Sequence, residues 1–340
     1  MVTTPAPETV LHAGLGGSTA TIQQATTPDS SQPARLKIGV MLPHLGTGMG
    51  PVAVVQAARR AEALGYDTLW AIERLLYPTN PRSKYPVTAD GSLPKMYAQA
   101  LTPIETLSYV AAHTERIGLG TGVLVMPLHN PVMLARQLAT LDVLSGGRLR
   151  VGLGQGWSAD EIEAVGGTMR GRAARADEFL QVLEAVWTTD PVEYAGTHFT
   201  LPRSSLQPKP LQKPRPPIYL AAYAPSALER VGTYADGWMP SGVPLTAMGT
   251  MMEQVRAAAR TAGRDPQCLE LPIFADGEIV ERSPGSDRPD FVGTLDEIRE
   301  DVSRARELGV TEIIFMPGYA SGDLHLETYT AALVRLASLI

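Results

Sequence analysis

The chemically capable groups of this chain are a histidine, a carboxylate beside a guanidinium, and two glycine runs, one of them ending in an amide and an indole. His44 follows Leu42-Pro43 and precedes a glycine-rich turn. It reads either as a loop histidine without chemistry or as a substrate or cofactor contact able to donate a proton near neutrality. Glu73 and Arg74 stand together in Trp70-Ala71-Ile72-Glu73-Arg74. They form either a structural ion pair or a proton-handling pair. Gly118, Gly120 and Gly122 interrupt a run that is otherwise strand-like. Glycine weakens a strand, and a bulge or the close approach of a flat ligand is the usual reason for it. Gly152-Leu153-Gly154-Gln155-Gly156-Trp157 offers backbone amides to anionic or ring-carbonyl oxygens, with Trp157 as a platform or a plug. Ala221-Ala222-Tyr223-Ala224-Pro225 runs small residues into a helix start, where free N–H groups and the dipole favour an anion. Between Glu193 and Glu229 there is no acid, while Arg203, Lys209, Lys213 and Arg215 occur. That segment is either a solvated basic loop or a clamp on a polyanionic tail.

Each of these groups stands at the end of a short apolar run, and those runs alternate with helical patterns. Leu36–Leu42 reads as a buried strand, followed by a helix from Pro51 to Leu64 closed by Gly65. Strand 67–72, the long loop Leu75–Leu101 and helix 103–114 come next. Strand 117–125, helix 131–144, strand 148–154 and helix 172–187 continue the rhythm. A hairpin (VEYAGTHFTL) and a proline-rich crossing interrupt it. It resumes with strands 218–221, 237–239, 269–279 and 312–316, each before a helix, the last of these being 324–340. Eight strand–helix units can close into an α/β barrel, with sites collected at the carboxyl ends of the strands. A doubly wound sheet is disfavoured because the first strand runs into PHLGTGMG and not a GxGxxG turn.

Composition narrows the function classes. A chain of 340 residues with 44% apolar and 19% charged residues can bury a large core. The single cysteine, Cys268, excludes a disulfide framework and a thiolate-clustered metal site, and no metal is expected. A net charge of -6 argues against a general nucleic-acid binder. No apolar run is long enough to span a membrane. Residues 1–35 lack the basic and apolar regions of a secretory signal and read as a disordered tail before one barrel domain, 36–340, in the cytoplasm.

Taken in order, these residues resemble the bacterial luciferase-like family of flavin and deazaflavin oxidoreductases. The most specific stretch is LGTGVLVMPLHNPVMLARQLATLDVLSGGRLRVGLGQGW, Leu119–Trp157, supported by YPTNPRSKYPVTADG and by AAYAPSALERVGTYADGWMP from Ala221. The similarity is greatest to the subgroup that uses the deazaflavin coenzyme F420. The resemblance implies a (β/α)8 TIM barrel with insertion segments, usually a homodimer. It implies a non-prolyl cis peptide at Gly122-Val123 backing the deazaflavin ring. It places Gln155, Gly156, Trp157 and Asp160 against the ring or tail, and Arg74 among the cofactor contacts. The backbone of Ala221, Ala222 and Tyr223 would approach the phosphate. Glu73-Arg74 departs from the family's Asp-His, and an arginine cannot shuttle protons at neutral pH. Proton handling then falls to Glu73, His44, His129, a tyrosine of the long loop or water. Tyr223 and Ala224 replace the more usual glycines. The implied reaction is hydride transfer between the deazaflavin and a small C=C, C=N or C=O substrate or an alcohol. The loop 75–101, with Arg82, Lys84, Tyr85 and Tyr97, would be the lid. The alternatives are an FMN-dependent monooxygenase and a non-catalytic deazaflavin-binding homologue.

Overall fold

The computed structural model describes residues 35–47, 50–88, 90–319, 322 and 325–340. The expected tail lies outside these residues, apart from Arg35. The first strands are β1 Lys37–Met41, β2 Thr68–Ala71, β3 Gly118–Val125 and β4 Leu149–Gly154. A hairpin follows, β5 Val192–Ala195 with β6 Thr200–Ser204. The later strands are β7 Ile218–Leu220, β8 Gly237–Trp238, β9 Pro272–Ala275, β10 Glu278–Ile279, β11 Val292–Gly293 and β12 Glu312–Phe315. Eight of them form one parallel sheet in the order β8-β7-β4-β3-β2-β1-β12-β9. A bridge from Gly237 to Glu270, with Trp238 N–H donating to Glu270 O at 3.0 Å, brings the two edges together. The expected barrel is therefore present and nearly closed.

The helices are α1 Pro51–Leu64, α2 Pro103–Ala111, α3 Pro131–Leu144, α4 Ala159–Ala164, α5 Arg172–Thr188, α6 Pro225–Tyr234, α7 Leu245–Thr261, α8 Leu295–Glu307 and α9 Leu326–Leu336. Proline opens α1, α2, α3 and α6, where its missing N–H has no helical partner to lose. Gly65 closes α1 at φ 90°, a conformation that suits glycine. Thr294 and Glu297 form a reciprocal capping box on α8. No helix among the described residues is long and apolar enough to cross a membrane.

Alternation along the strands divides the apolar residues in two. One set, including Leu69, Leu119, Leu153 and Ile313, packs outward against the helices. The other, Met41, Trp70, Tyr219, Met239 and Ile314, fills the barrel. Its lower end is a polar plug. Glu312 contacts Thr68 and accepts from Trp70 Nε1 at 2.9 Å, and Arg150 reaches Glu270 at 2.6 Å and Tyr219. Its upper end is a partly exposed apolar floor of Ile72, Val123, Phe274 and Met316.

Of the two reasons expected for the glycines of β3 and β4, a bulge or a flat ligand, the bulge is present, and the glycines themselves pack against protein. A Cβ at Gly120 would collide with the Trp70 ring, and one at Gly152 with the Thr121 carbonyl oxygen. One at Gly122 would lie 2.7 Å from Phe274 Cζ, and one at Gly154 2.8 Å from Val123 Cγ2. The β3–β4 register shifts between Thr121 and Leu124, and the Gly122–Val123 peptide is cis. Two element boundaries also change. The expected strand 269–279 is broken at Gly277, whose φ of 66° turns the chain so that β10 pairs with β11 instead. The short helix α4 was not anticipated, although Ser158 with Glu161 three residues on is a helix-start signature.

Candidate active site at the carboxyl ends of the strands

The carboxyl ends of β2, β3, β4, β7, β9 and β12 surround the apolar floor. Beyond β2, Arg74 lies with its guanidinium carbon 5.4 Å from the Tyr97 ring centroid and 5.3 Å from that of Trp157. Its Nη1 is 3.3 Å from Glu161 Oε2. Tyr85 donates to or accepts from Tyr97 at 2.9 Å and packs edgewise on Trp157. Arg74, placed by sequence among the cofactor contacts, is thus held between rings and a carboxylate.

Glu161 was given no role by sequence reasoning. It is almost fully buried and accepts the N–H groups of Leu75 at 2.8 Å and Leu76 at 3.4 Å. It ties the start of the long loop to α4. Asp160 completes that attachment. It accepts Arg82 N–H at 3.0 Å and Arg82 Nε at 2.6 Å, while Arg82 Nη1 reaches Glu163 at 2.8 Å. The Arg82 side chain and then its N–H hold the Asp160 carboxyl below the usual carboxylate range. The expectation of Asp160 against a cofactor gives way to a latch on the loop.

Glu73 accepts Val125 N–H at 2.7 Å and lies 2.9 Å from His129 Nε2. The side chains of this pair are 11% and 20% exposed. His44 sits otherwise than a proton donor would. Its Nδ1 is 2.8 Å from Leu42 O, and its Nε2 lies 3.0 Å from Ile72 O and 3.1 Å from Ile72 N. Both ring nitrogens are occupied by backbone. Burial lowers its pKa, with the two carbonyl contacts opposing.

At the β4 end, Gln155 keeps a buried Nε2 without a hydrogen-bond partner, next to Gly156 at φ 70°. A buried amide donor without a protein acceptor can take one from a ligand. Beyond β7, Ala221 N–H is spent on Leu153 O at 2.9 Å, and Ala222 O accepts Trp238 Nε1 at 2.8 Å. Ala221 therefore offers no N–H to a phosphate. Tyr223 is half exposed, its hydroxyl donating to Ser241 O at 3.1 Å. The N-cap of α6, Ala224, supplies no side-chain cap; Pro225 has no N–H and Ala227 N–H donates to Ala224 O at 2.9 Å, which leaves Ser226 N–H as the donor of the first turn open to a ligand. Three of the four residues of the basic segment are engaged within the protein: Lys209 donates to Val186 O and Thr189 O, Lys213 to Pro210 O, and Arg215 pairs with Glu184 and Asp236, while Arg203 is exposed.

These features together fit a flat ring with a polar edge and an anionic arm. The floor is apolar, one buried amide awaits an acceptor, and an uncapped helix start lies beyond β7. Among the described residues no His, Cys, Asp and Glu cluster could hold a metal ion.

Comparison with known proteins agrees with this layout. The family model for the luciferase-like monooxygenase domain matches residues 36–282. An uncharacterized protein of Mycobacterium tuberculosis is 33% identical over 291 residues, covering 84% of this chain and 93% of the relative. An F420-dependent hydroxymycolic acid dehydrogenase of the same organism is 29% identical over 260 residues, covering 75% of this chain and 66% of the relative. Among solved structures, an F420-dependent secondary alcohol dehydrogenase in complex with an F420-acetone adduct superposes with a TM-score of 0.71 at 18% identity. That match covers 90% of this chain and 98% of the other, and it speaks to the fold.

Proposed function

Because the chain belongs to the luciferase-like monooxygenase family, and its relatives include F420-dependent dehydrogenases, we propose that it is an oxidoreductase using coenzyme F420. The substrate would be a small neutral molecule with a C=O, C=N or C=C bond, or the corresponding alcohol. The observation that carries this reading is the unpaired, buried Gln155 Nε2 beside the apolar floor of Ile72, Val123, Phe274 and Met316. When bound, the deazaflavin supplies two-electron hydride chemistry, and the protein supplies its orientation and surroundings. Val123 would back the ring, Gln155 would donate to an acceptor on its edge, and Gly156 and Trp157 would border it. The start of α6, with Ser226 N–H and the helix dipole, would face the anionic arm beside Ala222 and Tyr223.

Glu73 and His129 are our choice for proton handling. The imidazole is the group that gives or takes the proton, and Glu73, itself held by Val125 N–H, orients it. His44 drops out of this role for lack of a free nitrogen. The aromatic rings of Tyr85, Tyr97 and Trp157 with Arg74 would exclude water under the latched loop. The protein would act as a homodimer.

A fluorescence titration of the full chain with coenzyme F420 and, separately, with FMN tests the cofactor. Tight binding of F420 and weak binding of FMN is the expected result. Preference for FMN, with oxygen consumed on reduction, would replace this reading with the monooxygenase alternative.

A further inference from the structure

We propose that Asp276 seats the substrate's oxygen at the barrel mouth through a hydrogen bond. This rests on the proposed hydride-transferring site and names the group that would receive its substrate.

The placement follows from the strand. Ala275 O still accepts Met316 N–H at 2.8 Å, and Phe274 N–H reaches Pro240 O at 3.4 Å, so the chain is extended up to Asp276. Phe274 faces the barrel interior, its ring 6.5 Å from that of Trp70. Side chains alternate along an extended segment, so Asp276 shares that face one layer nearer the mouth. Gly277 then turns the chain away. An acid directly after a barrel strand occupies the position from which this fold draws its functional groups.

The surroundings decide its form. The other acids around the mouth are engaged: Glu73 by Val125 N–H and His129, Asp160 by Arg82, and Glu161 by Leu75 N–H and Arg74. Among the described residues nothing donates to Asp276 or pairs with it. The flanking segments, 239–241 after β8 and 316–319 after β12, contain no charged residue. The titratable group they hold is Tyr319, whose hydroxyl is turned to Leu42 O at 3.3 Å. Glu278, on Asp276's own turn, is the charge that acts on it. Burial, and then the Glu278 charge, push the Asp276 carboxyl above the ordinary carboxylate range. A carboxylate can only accept hydrogen bonds, whereas the neutral acid can also donate one. Carboxyl groups held in opposite environments within one site mark a division of roles.

The test is calorimetric titration of cyclohexanone, a neutral ketone with an apolar body, into the full chain with and without oxidised coenzyme F420. It is repeated across the pH range in which the chain stays folded. Wild-type affinity should fall as pH rises through the Asp276 titration. Asp276→Asn, whose amide donates at every pH, should bind with no such dependence. Asp276→Ala should bind about tenfold more weakly than wild type at acid pH, the loss expected for one hydrogen bond. Circular dichroism checks that both variants fold, as a residue without partners allows. The proposal is overturned if Asp276→Ala binds like wild type, if Asp276→Asn keeps the wild-type pH dependence, or if wild type does not bind cyclohexanone. Failure of F420 to bind, with ketone affinity still following Asp276, would sink the proposed function and leave Asp276 as the oxygen's seat.

Discussion

Arg74 and His44 show how single residues of the mouth serve the fold before any chemistry. Arg74 neutralises Glu161, whose side chain is 4% exposed, and fills the space between Tyr97 and Trp157. Arg74→Ala would leave a buried carboxylate without its cation. We expect a loss of about 3 kcal/mol in urea denaturation, the scale for breaking a buried pair from one side. His44 joins the backbones after β1 and β2 as a neutral ring. Its folded pKa lies below its ordinary value of 6.5, so protonation favours the unfolded chain. The contribution is therefore complete above the unfolded value and is lost as pH falls towards the folded one. His44→Asn should be less stable than wild type at neutral pH yet lose less stability as the pH is lowered below the ordinary histidine value of 6.5. Equal slopes for the two proteins in thermal melts would show that His44 is not the group responsible.

At the scale of elements, the site is shaped by how β3 and β4 approach each other and by how the long loop is fastened. Gly152 lies against the Thr121 carbonyl, inside the sheet where nothing can yield cheaply. Gly152→Ala should destabilise the chain by about 3 kcal/mol, at the upper end for overpacking, and a melt unchanged from wild type would contradict this. The loop 75–101 is fastened differently, by the exposed Arg82 on Asp160 and Glu163 and by Ser83 Oγ accepting Ala159 N–H at 3.0 Å. Arg82→Ala should leave the melting temperature nearly unchanged but speed proteolysis within the loop. Added salt should do the same to wild type, because exposed charges are screened. The sequence pattern made the loop's length and its charged and aromatic residues visible. It did not make the partners visible, because α4 is a six-residue helix whose periodicity is too short to register.

For the whole molecule, the barrel's outer face leaves large apolar side chains in solvent, among them Val52 on α1, Tyr109 on α2 and Met133 on α3. Side chains of this kind are what the interface of the proposed homodimer would cover. Sedimentation should give twice the mass of the 36.4 kDa chain, and a monomer at micromolar concentration would overturn the dimer. Acid should weaken the fold at points set by its buried ion clusters. Asp301 is the clearest case: burial pushes its carboxyl up, but Arg288, Phe291 N–H and Arg304 together hold it below the usual range. Its contribution is present above the ordinary carboxylate value and is lost as pH falls below it.

The sequence by itself determined the alternation of eight strands and helices, and with it the barrel and the end at which function collects. That information is local: prolines and glycines mark element ends, and apolar runs of strand length need no partner to be recognised. Sequence also singled out the glycines of β3 and β4 as the mark of a bulge or a flat ligand; the bulge is there, but that Trp70, Phe274 and Thr121 are the neighbours they make room for was not legible. Tertiary structure alone decided which polar groups are consumed and which remain free. Ala221, Asp160, Arg74 and His44 are taken by backbone, loop and rings, while among the described residues nothing pairs with the Gln155 amide nitrogen or with Asp276. The physical reason is that a hydrogen bond or ion pair between distant segments leaves no trace in spacing, since it depends on which strand ends the closed sheet brings together.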